Sequence, residues 1–268
     1  MNKLKKHLHT FVVLAYKESP YLEKCILSVM KQTKKNSQIV IATSTNNSHI
    51  KNIANKYDVT IYEAPKSKQG IGYDFDFAYS CATTPLVTIA HQDDIYEPTY
   101  YEKVLEKYQR NPKALLIFCD YYEIRGKKKV YSNTNLMIKR WLLTPLRSKL
   151  LSKTRFGKRL VLCFGNAICC PAVTFVRPNI PYPSIFQCSF VCNIDWYAWE
   201  KISRCKGSFI LVKEKLMGHR VHTNSTTTEI INNNIRTKED LIMFQKFWPS
   251  FIAKLLNRFY VQAEKSNS

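Results

Sequence analysis

Glycine is scarce in this chain, 7 residues in 268, and neither of the usual glycine-rich phosphate loops occurs. No Gly-x-Gly-x-x-Gly follows the first apolar run, and no Gly-x-x-x-x-Gly-Lys-Ser/Thr is found anywhere. A classical dinucleotide enzyme and a P-loop nucleotidase are therefore not expected, because both need backbone amides wrapped closely around phosphate. Apolar runs long enough to cross a bilayer are missing as well. The Lys3, Lys5 and Lys6 lead-in before Phe11–Tyr16 superficially resembles a signal peptide. Its apolar core is too short and no small-residue cleavage site follows, so it reads as a basic approach to a first strand. The nine cysteines include no Cys-x-x-Cys pair. Cys188-x-x-x-Cys192 has zinc-like spacing but an apolar setting, and free thiols in a reducing cytosol are the expectation.

The most telling absence is of negative charge. From Ile124 to Ile194 there is no Asp or Glu, while the whole chain carries 41 Lys and Arg against 20 Asp and Glu, a net +21. A one-signed region attracts polyanions or anionic lipid surfaces. Between Ile138 and Leu160 the cations are mixed with Trp141, Leu142, Leu143, Leu146, Leu150, Leu151 and Phe156, a pattern similar to an interfacial membrane segment. Pro145 and Gly157 rule out one unbroken helix there. An ordinary solvated basic face over apolar core fits equally well. Nucleic acid is not expected, since no recognisable module or basic–aromatic stacking pattern is present.

The first half alternates strand and helix signals. Strands are predicted at Thr10–Tyr16, Gln38–Thr43, Val59–Tyr62, Leu86–Ala90 and Ala114–Cys119. Helices are predicted from Ser19-Pro20 through Met30, from a Ser48 cap through Tyr57, and over Gly70–Ala82. These βα units predict a doubly wound, mostly parallel sheet. Ligands bind beyond the carboxyl ends of strands in such sheets. Leu86–Tyr96 ends there in Asp93 and Asp94, hard oxygen donors suited to Mg²⁺ or Mn²⁺ on a diphosphate. The competing reading makes Asp94 the N-cap of a helix through Tyr101, Val104, Leu105 and Tyr108. Asp195 is the first carboxylate after the acid-free stretch, beside Trp196, Tyr197 and Trp199. It could serve as a base or cap the helix that follows.

Phe11–Thr33, reading FVVLAYKESPYLEKCILSVMKQT, resembles the opening of family-two glycosyltransferases of the GT-A fold. IAHQDD falls where that family carries Asp-x-Asp, Asn193–Trp196 where it carries an acidic motif, and His219–Thr227 where it carries Arg-x-His and Ser-x-Thr elements. The resemblance implies a Rossmann-like, mostly parallel sheet flanked by helices, with an elaborated acceptor-side half and C-terminal helices. It covers 1–268 as one domain: a nucleotide-sugar half at 1–123, an acceptor half at 124–235 and a helical segment at 236–268. It further implies inverting transfer from a nucleotide-diphosphate sugar to a hydroxyl, with Asp195 as base and a divalent cation (Mn²⁺ or Mg²⁺) on Asp93, Asp94 and His222. Donor contacts are expected from Tyr16, Thr43, Ser44, Asp76, His91, Gln92 and Arg220, and an acceptor contact from Trp196. His91 replaces the first Asp of the metal motif and could hold the ion or meet ribose or phosphate. The acid that often reads the uracil is missing beside Thr43 and Ser44, and Asp74 and Asp76 stand where relatives often have Arg-Asn. The expected acceptor is a surface-glycan or lipid-linked precursor, and the expected location is cytoplasmic, peripheral at the inner membrane face. The rival reading is a non-catalytic basic protein that binds membranes or polyanions on a degenerate GT-A fold.

After Arg236 the chain reads as helical, broken at Pro249. A second stripe of Phe251, Ile252, Leu255, Leu256 and Phe259 follows, expected to pack on the domain.

Overall fold

The computed structural model describes residues 7–67, 70–221 and 235–265. The alternation expected in the first half is realised as β1 (His9–Ala15), α1 (Leu22–Met30), β2 (Ser37–Thr43), α2 (Ser48–Tyr57), β3 (Thr60–Glu63), α3 (Ile71–Ser80) and β4 (Leu86–His91). Next come β5 (Ile95–Tyr96), α4 (Tyr100–Arg110), β6 (Ala114–Arg125), β7 (Lys128–Val130), α5 (Thr134–Leu142), α6 (Arg155–Leu160) and β8 (Val173–Val176). The chain continues through α7 (Ile194–Ser203), β9 (Ser208–Val221), α8 (Ile235–Gln245) and α9 (Ser250–Lys265).

The strands form one sheet in the order β3-β2-β1-β4-β8-β6-β9-β5, with β7 paired to β6. β1, β2, β3, β4, β6 and β9 run one way, and β5, β7 and β8 run against them. The central strands read as continuous apolar runs because both faces are covered. Val12, Val87 and Ile89 point into the core that includes α3 and α7, while Phe11, Val13 and Ala90 point to the face of α1, α2 and α4. Each such fully buried Val, Ile or Phe side chain contributes about 1.5–3 kcal/mol.

Several expected boundaries move. Ser19 closes a turn by accepting from Tyr21 N, and α1 begins only at Leu22. Asn47, not Ser48, caps α2 through Ile50 N. Asp94 caps nothing: α4 starts at Tyr100 behind Thr99. β6 runs past Asp120 to Arg125 because β9 pairs with it over its whole length. Gly218 permits this pairing, since a Cβ there would lie 2.7 Å from the Tyr122 ring.

The region from Ile138 to Leu160 is broken, as Pro145 requires, into α5, two single 3₁₀ turns and α6. Pro249 likewise separates α8 from α9. On α9 the expected stripe divides: Ile252 and Leu256 are partly buried around a fully buried Ala253, while Phe251, Leu255 and Phe259 are exposed.

Candidate active site

Parallel register brings the donor-side residues to one edge. Leu14 lies opposite His91 and Ala15 opposite Thr43, so the turns after β1, β2 and β4 emerge side by side. Gln92 fastens two of these turns: its amide accepts from Tyr16 N at 3.1 Å and donates to Tyr16 O at 2.9 Å. Tyr16 itself remains 44% exposed at the rim. Ser44 Oγ donates to Asp74 Oδ2 at 3.1 Å, while Asp74 Oδ1 is buried without a partner. Burial raises the Asp74 pKa against the opposing Ser44 hydrogen bond. Thr43 is fully buried and accepts from Thr45 N, so it shapes the turn from inside.

The loop after β4 is held by β5, which pairs with Met217 and Gly218 of β9 and so sets Asp94 beside His219 and Arg220. Asp94 is completely buried. Its Oδ1 accepts from Arg220 N at 2.8 Å and lies 3.2 Å from His219 Nδ1. Burial alone would raise its pKa, but the His219 charge and hydrogen bond, His91 and the Arg220 amide outweigh it and hold the carboxyl below its usual range. Burial would lower the His219 pKa, yet Asp94 prevails and raises it. Each partner thus favours the charged form of the other. Arg220 Nε donates to Asp93 O at 2.9 Å, and its guanidinium lies 4.3 Å from the Tyr21 ring centroid.

His91, Asp93 and Asp94 can each turn one donor atom into a cluster in which all lie within 4.8 Å of one another. Burial lowers the His91 pKa against the pull of Asp94 and Asp93, favouring the neutral imidazole that binds metals. His91 Nε2 is buried with no hydrogen-bond partner. One imidazole and two carboxylates suit Mn²⁺ better than Mg²⁺, which prefers oxygen alone. These residues fit a divalent cation. His222, also expected to contribute, lies outside the described residues, as does the Asn224–Thr228 run.

Asp195 occupies the first turn of α7, with Asn193 at the cap position. Its Oδ2 accepts from Asn166 Nδ2 at 2.7 Å and its Oδ1 from Trp196 N at 2.7 Å. Burial raises its pKa, partly offset by these two bonds and by the charges of Arg236 and Lys139. It lies within electrostatic reach of His91, which brings the base candidate near the metal cluster.

Two expected contacts are corrected. Trp196 is fully buried, donates to Leu162 O and packs edge-on to Phe244, which makes it core and not an acceptor surface. The Asp76 carboxylate is taken up by another loop: it accepts from Ser184 Oγ and from the amides of Ile185, Phe186 and Gln187 at 2.6–2.9 Å. Gly72, one turn earlier, lets that loop approach, because a Cβ would lie 2.7 Å from Phe186 O. Asp76 therefore anchors the loop that leads to Asp195.

Residues that sequence reasoning missed hold the surroundings of Asp195. Glu239 of α8 accepts from the amides of Val191, Cys192 and Asn193 at 2.7–2.9 Å, and Asp240 accepts from Asn193 Nδ2. Lys139 of α5 donates to Tyr121 Oη at 2.9 Å. Only His219 had a signal, as the neighbour of Arg220; the others meet the site across long stretches of chain.

Known structures share this architecture. A mannosyltransferase from Pyrobaculum calidifontis, solved with GDP-Man and Mn²⁺, superposes with a TM-score of 0.65 at 14% identity, covering 94% of this chain and 70% of that one. TarS residues 1–349 from S. aureus, in complex with UDP-GlcNAc, gives 0.62 at 9% identity over 94% of this chain and 71% of that one. The curled, mostly parallel sheet and its flanking helices match the GT-A fold of these glycosyltransferases. The glycosyl transferase family 2 profile matches residues 10–174, and the chain belongs to that family. Two uncharacterized glycosyltransferases are similar along nearly the whole chain. The one from Rickettsia typhi is 22% identical over 97% of this chain and 76% of its own length. The one from Rickettsia prowazekii is 24% identical over 92% and 72%.

Proposed function

We propose that this glycosyltransferase is inverting and transfers a sugar from a nucleotide diphosphate to a hydroxyl of a surface-glycan or lipid-linked precursor. The observation that carries this reading is the His91–Asp93–Asp94 cluster with the buried Asp195 carboxylate within electrostatic reach of it. Asp195 takes the proton of the acceptor hydroxyl as its oxygen attacks the anomeric carbon. The bond to the β-phosphate oxygen breaks on the opposite face, and its electron pair leaves with the nucleotide diphosphate. Its raised pKa makes Asp195 a better proton acceptor than an exposed carboxylate, and Asn166 and the Trp196 amide aim it. A divalent cation held by His91, Asp93 and Asp94 supplies Lewis-acid neutralisation of the diphosphate when bound. Arg220, pinned to Asp93 O, adds positive charge on the same side.

Donor recognition is assigned to Tyr16, Ser44 and Asp74. The unpartnered Asp74 Oδ1 beside Ser44 is suited to an N–H donor on a base edge. No helix among the described residues is long and apolar enough to cross a membrane, and the net charge of +21 favours peripheral residence at an anionic cytoplasmic face.

The test is nucleotide diphosphate release from a panel of sugar nucleotides with Mn²⁺, Mg²⁺ or EDTA, for wild type and Asp93→Ala. Cation-dependent release from one donor, lost in Asp93→Ala, is the expected result. Silence across the panel, with no donor raising the unfolding temperature, would move the assignment to a non-catalytic binding protein.

A further inference from the structure

Two helices beside the Asp195 pocket leave apolar faces uncovered. On α5, Leu136 is buried and Lys139 bonds Tyr121, while Met137, Ile138 and Trp141 are exposed, Trp141 by 73%. On α9, Phe251, Leu255 and Phe259 recur every fourth residue at 74%, 53% and 61% exposure, whereas Ala253 is fully buried and Tyr260 packs on Phe244 and Trp196. Lys139 of α5 lies within electrostatic reach of both Asp195 and Tyr260 of α9. Large side chains exposed in such numbers mark an interaction surface.

Charge identifies what covers it. No acidic residue occurs from 124 to 194, and none from 241 to 262. The exposed cations of these stretches include Arg147, Lys149, Lys153 and Arg155 after α5, and Lys254 and Arg258 between the apolar positions of α9. Among the described residues none of these six is ion-paired, in contrast to Lys56 with Glu23 or Lys103 with Glu106 in the first half. Apolar side chains that can reach the acyl boundary, flanked by unpaired cations at headgroup level, match an anionic bilayer.

We propose that α5 and α9 together form a docking face for an anionic lipid bilayer, which turns the Asp195 pocket toward acceptors carried in that surface. The orientation toward a membrane-borne acceptor rests on the reading above. The docking itself does not depend on transferase chemistry.

Of the four tryptophans, Trp196 and Trp199 are fully buried and Trp141 is largely exposed, so fluorescence reports the contact directly. The experiment uses vesicles of phosphatidylcholine alone, or mixed with phosphatidylglycerol, with and without brominated acyl chains. The expected result is co-sedimentation with the anionic vesicles only, with brominated lipid quenching emission in wild type but not in Trp141→Phe. A triple variant, Phe251→Ser with Leu255→Ser and Phe259→Ser, should keep its unfolding temperature and its donor hydrolysis while vesicle affinity falls by about tenfold or more. Failure to bind anionic vesicles overturns the proposal, and so does binding that the triple variant leaves unchanged. A dimer in the absence of lipid that the triple variant dissociates would give the face to a second copy and also overturn it. Vesicle binding with neither donor turnover nor a donor that raises the unfolding temperature would leave docking standing and remove the transferase reading, so the two fail separately.

Discussion

The two sides of the pocket are built by different means. On the donor side, Tyr16, Ser44 and the His91–Asp94 turn follow strands β1, β2 and β4, whose parallel register puts them side by side. Each follows a ladder of backbone hydrogen bonds, to which Gln92 and Asp94 add side-chain ties. On the acceptor side, Asp195 follows the loop at 181–193, and side chains from distant elements hold that loop. Asp76 takes its amides at 185–187, Glu239 takes those at 191–193, and Asn166 holds Asp195 itself. A strand-built edge should therefore survive point substitutions that disable a clasp-built one.

The largest expected effect tests the acceptor side at its centre. Asp195→Asn should lower kcat by about 10²- to 10⁴-fold, the usual contribution of a positioned general base. Donor affinity, measured by calorimetry, should be unchanged, because no donor-side hydrogen bond involves Asp195. A comparable loss of donor binding would mean that the two sides are not separable.

Glu239→Ala comes next and breaks the comparison most directly. It strips three backbone amides of their acceptor at a residue only 5% exposed. Buried donors left unpaired should cost about 3 kcal/mol of folding stability. Because the loop they hold carries Asp195, kcat should also fall by about tenfold or more, while the KM for donor stays close to wild type. Chemical denaturation and steady-state kinetics on one preparation check both. Glu239→Gln, which keeps one acceptor oxygen, should recover part of the stability.

This asymmetry also explains what was legible from residues alone. The strands and helices up to β4 follow local apolar periods, and the Asp93–Asp94 strand end announces itself by its position in them. The roles of Asp76 and Trp196 could not be read locally. Asp76 faces a loop more than a hundred residues later, and whether Trp196 meets solvent depends on α8 and α9 packing over it. Glu239, Asn166 and Lys139 carried no signal, since a lone polar residue in a helix or loop looks the same whether it clasps a neighbour or faces water. Asp94 was visible as chemistry but not as a clasp to β9, because its hydrogen-bond partners lie there, over a hundred residues away.

Asp74 offers a smaller and more selective test of the donor edge. Asp74→Asn keeps the shape and the contact to Ser44 but replaces a carboxylate that accepts hydrogen bonds only with an amide that can also donate. The expected outcome is about a tenfold rise in donor KM, with kcat within a few-fold of wild type. The preference among nucleotide bases should narrow or shift, read by competing UDP, GDP and CDP against the donor. An unchanged preference would remove Asp74 from base recognition without touching the rest of the site.

The smallest effect concerns the proton. Burial raises the Asp195 pKa, so turnover should decline on the acid side at a higher pH than an ordinary exposed carboxylate would dictate. Asn166 donates to the ionised carboxylate and works against that rise. Asn166→Ala should therefore move the acid limb of the kcat profile further up, by less than about one pH unit, the loss of one hydrogen bond out of two. The sign for stability runs the other way. Between the unfolded pKa and the raised folded pKa, the folded chain binds more protons than the unfolded one, so this group lowers stability as pH rises through that window. Removing Asn166 widens the window and should lower the unfolding temperature at neutral pH more than at acid pH. If the acid limb moves while the donor KM does not, the proton-accepting group and the donor edge are distinct in function as well as in construction. If the limb stays where it is, a group other than Asp195 sets it.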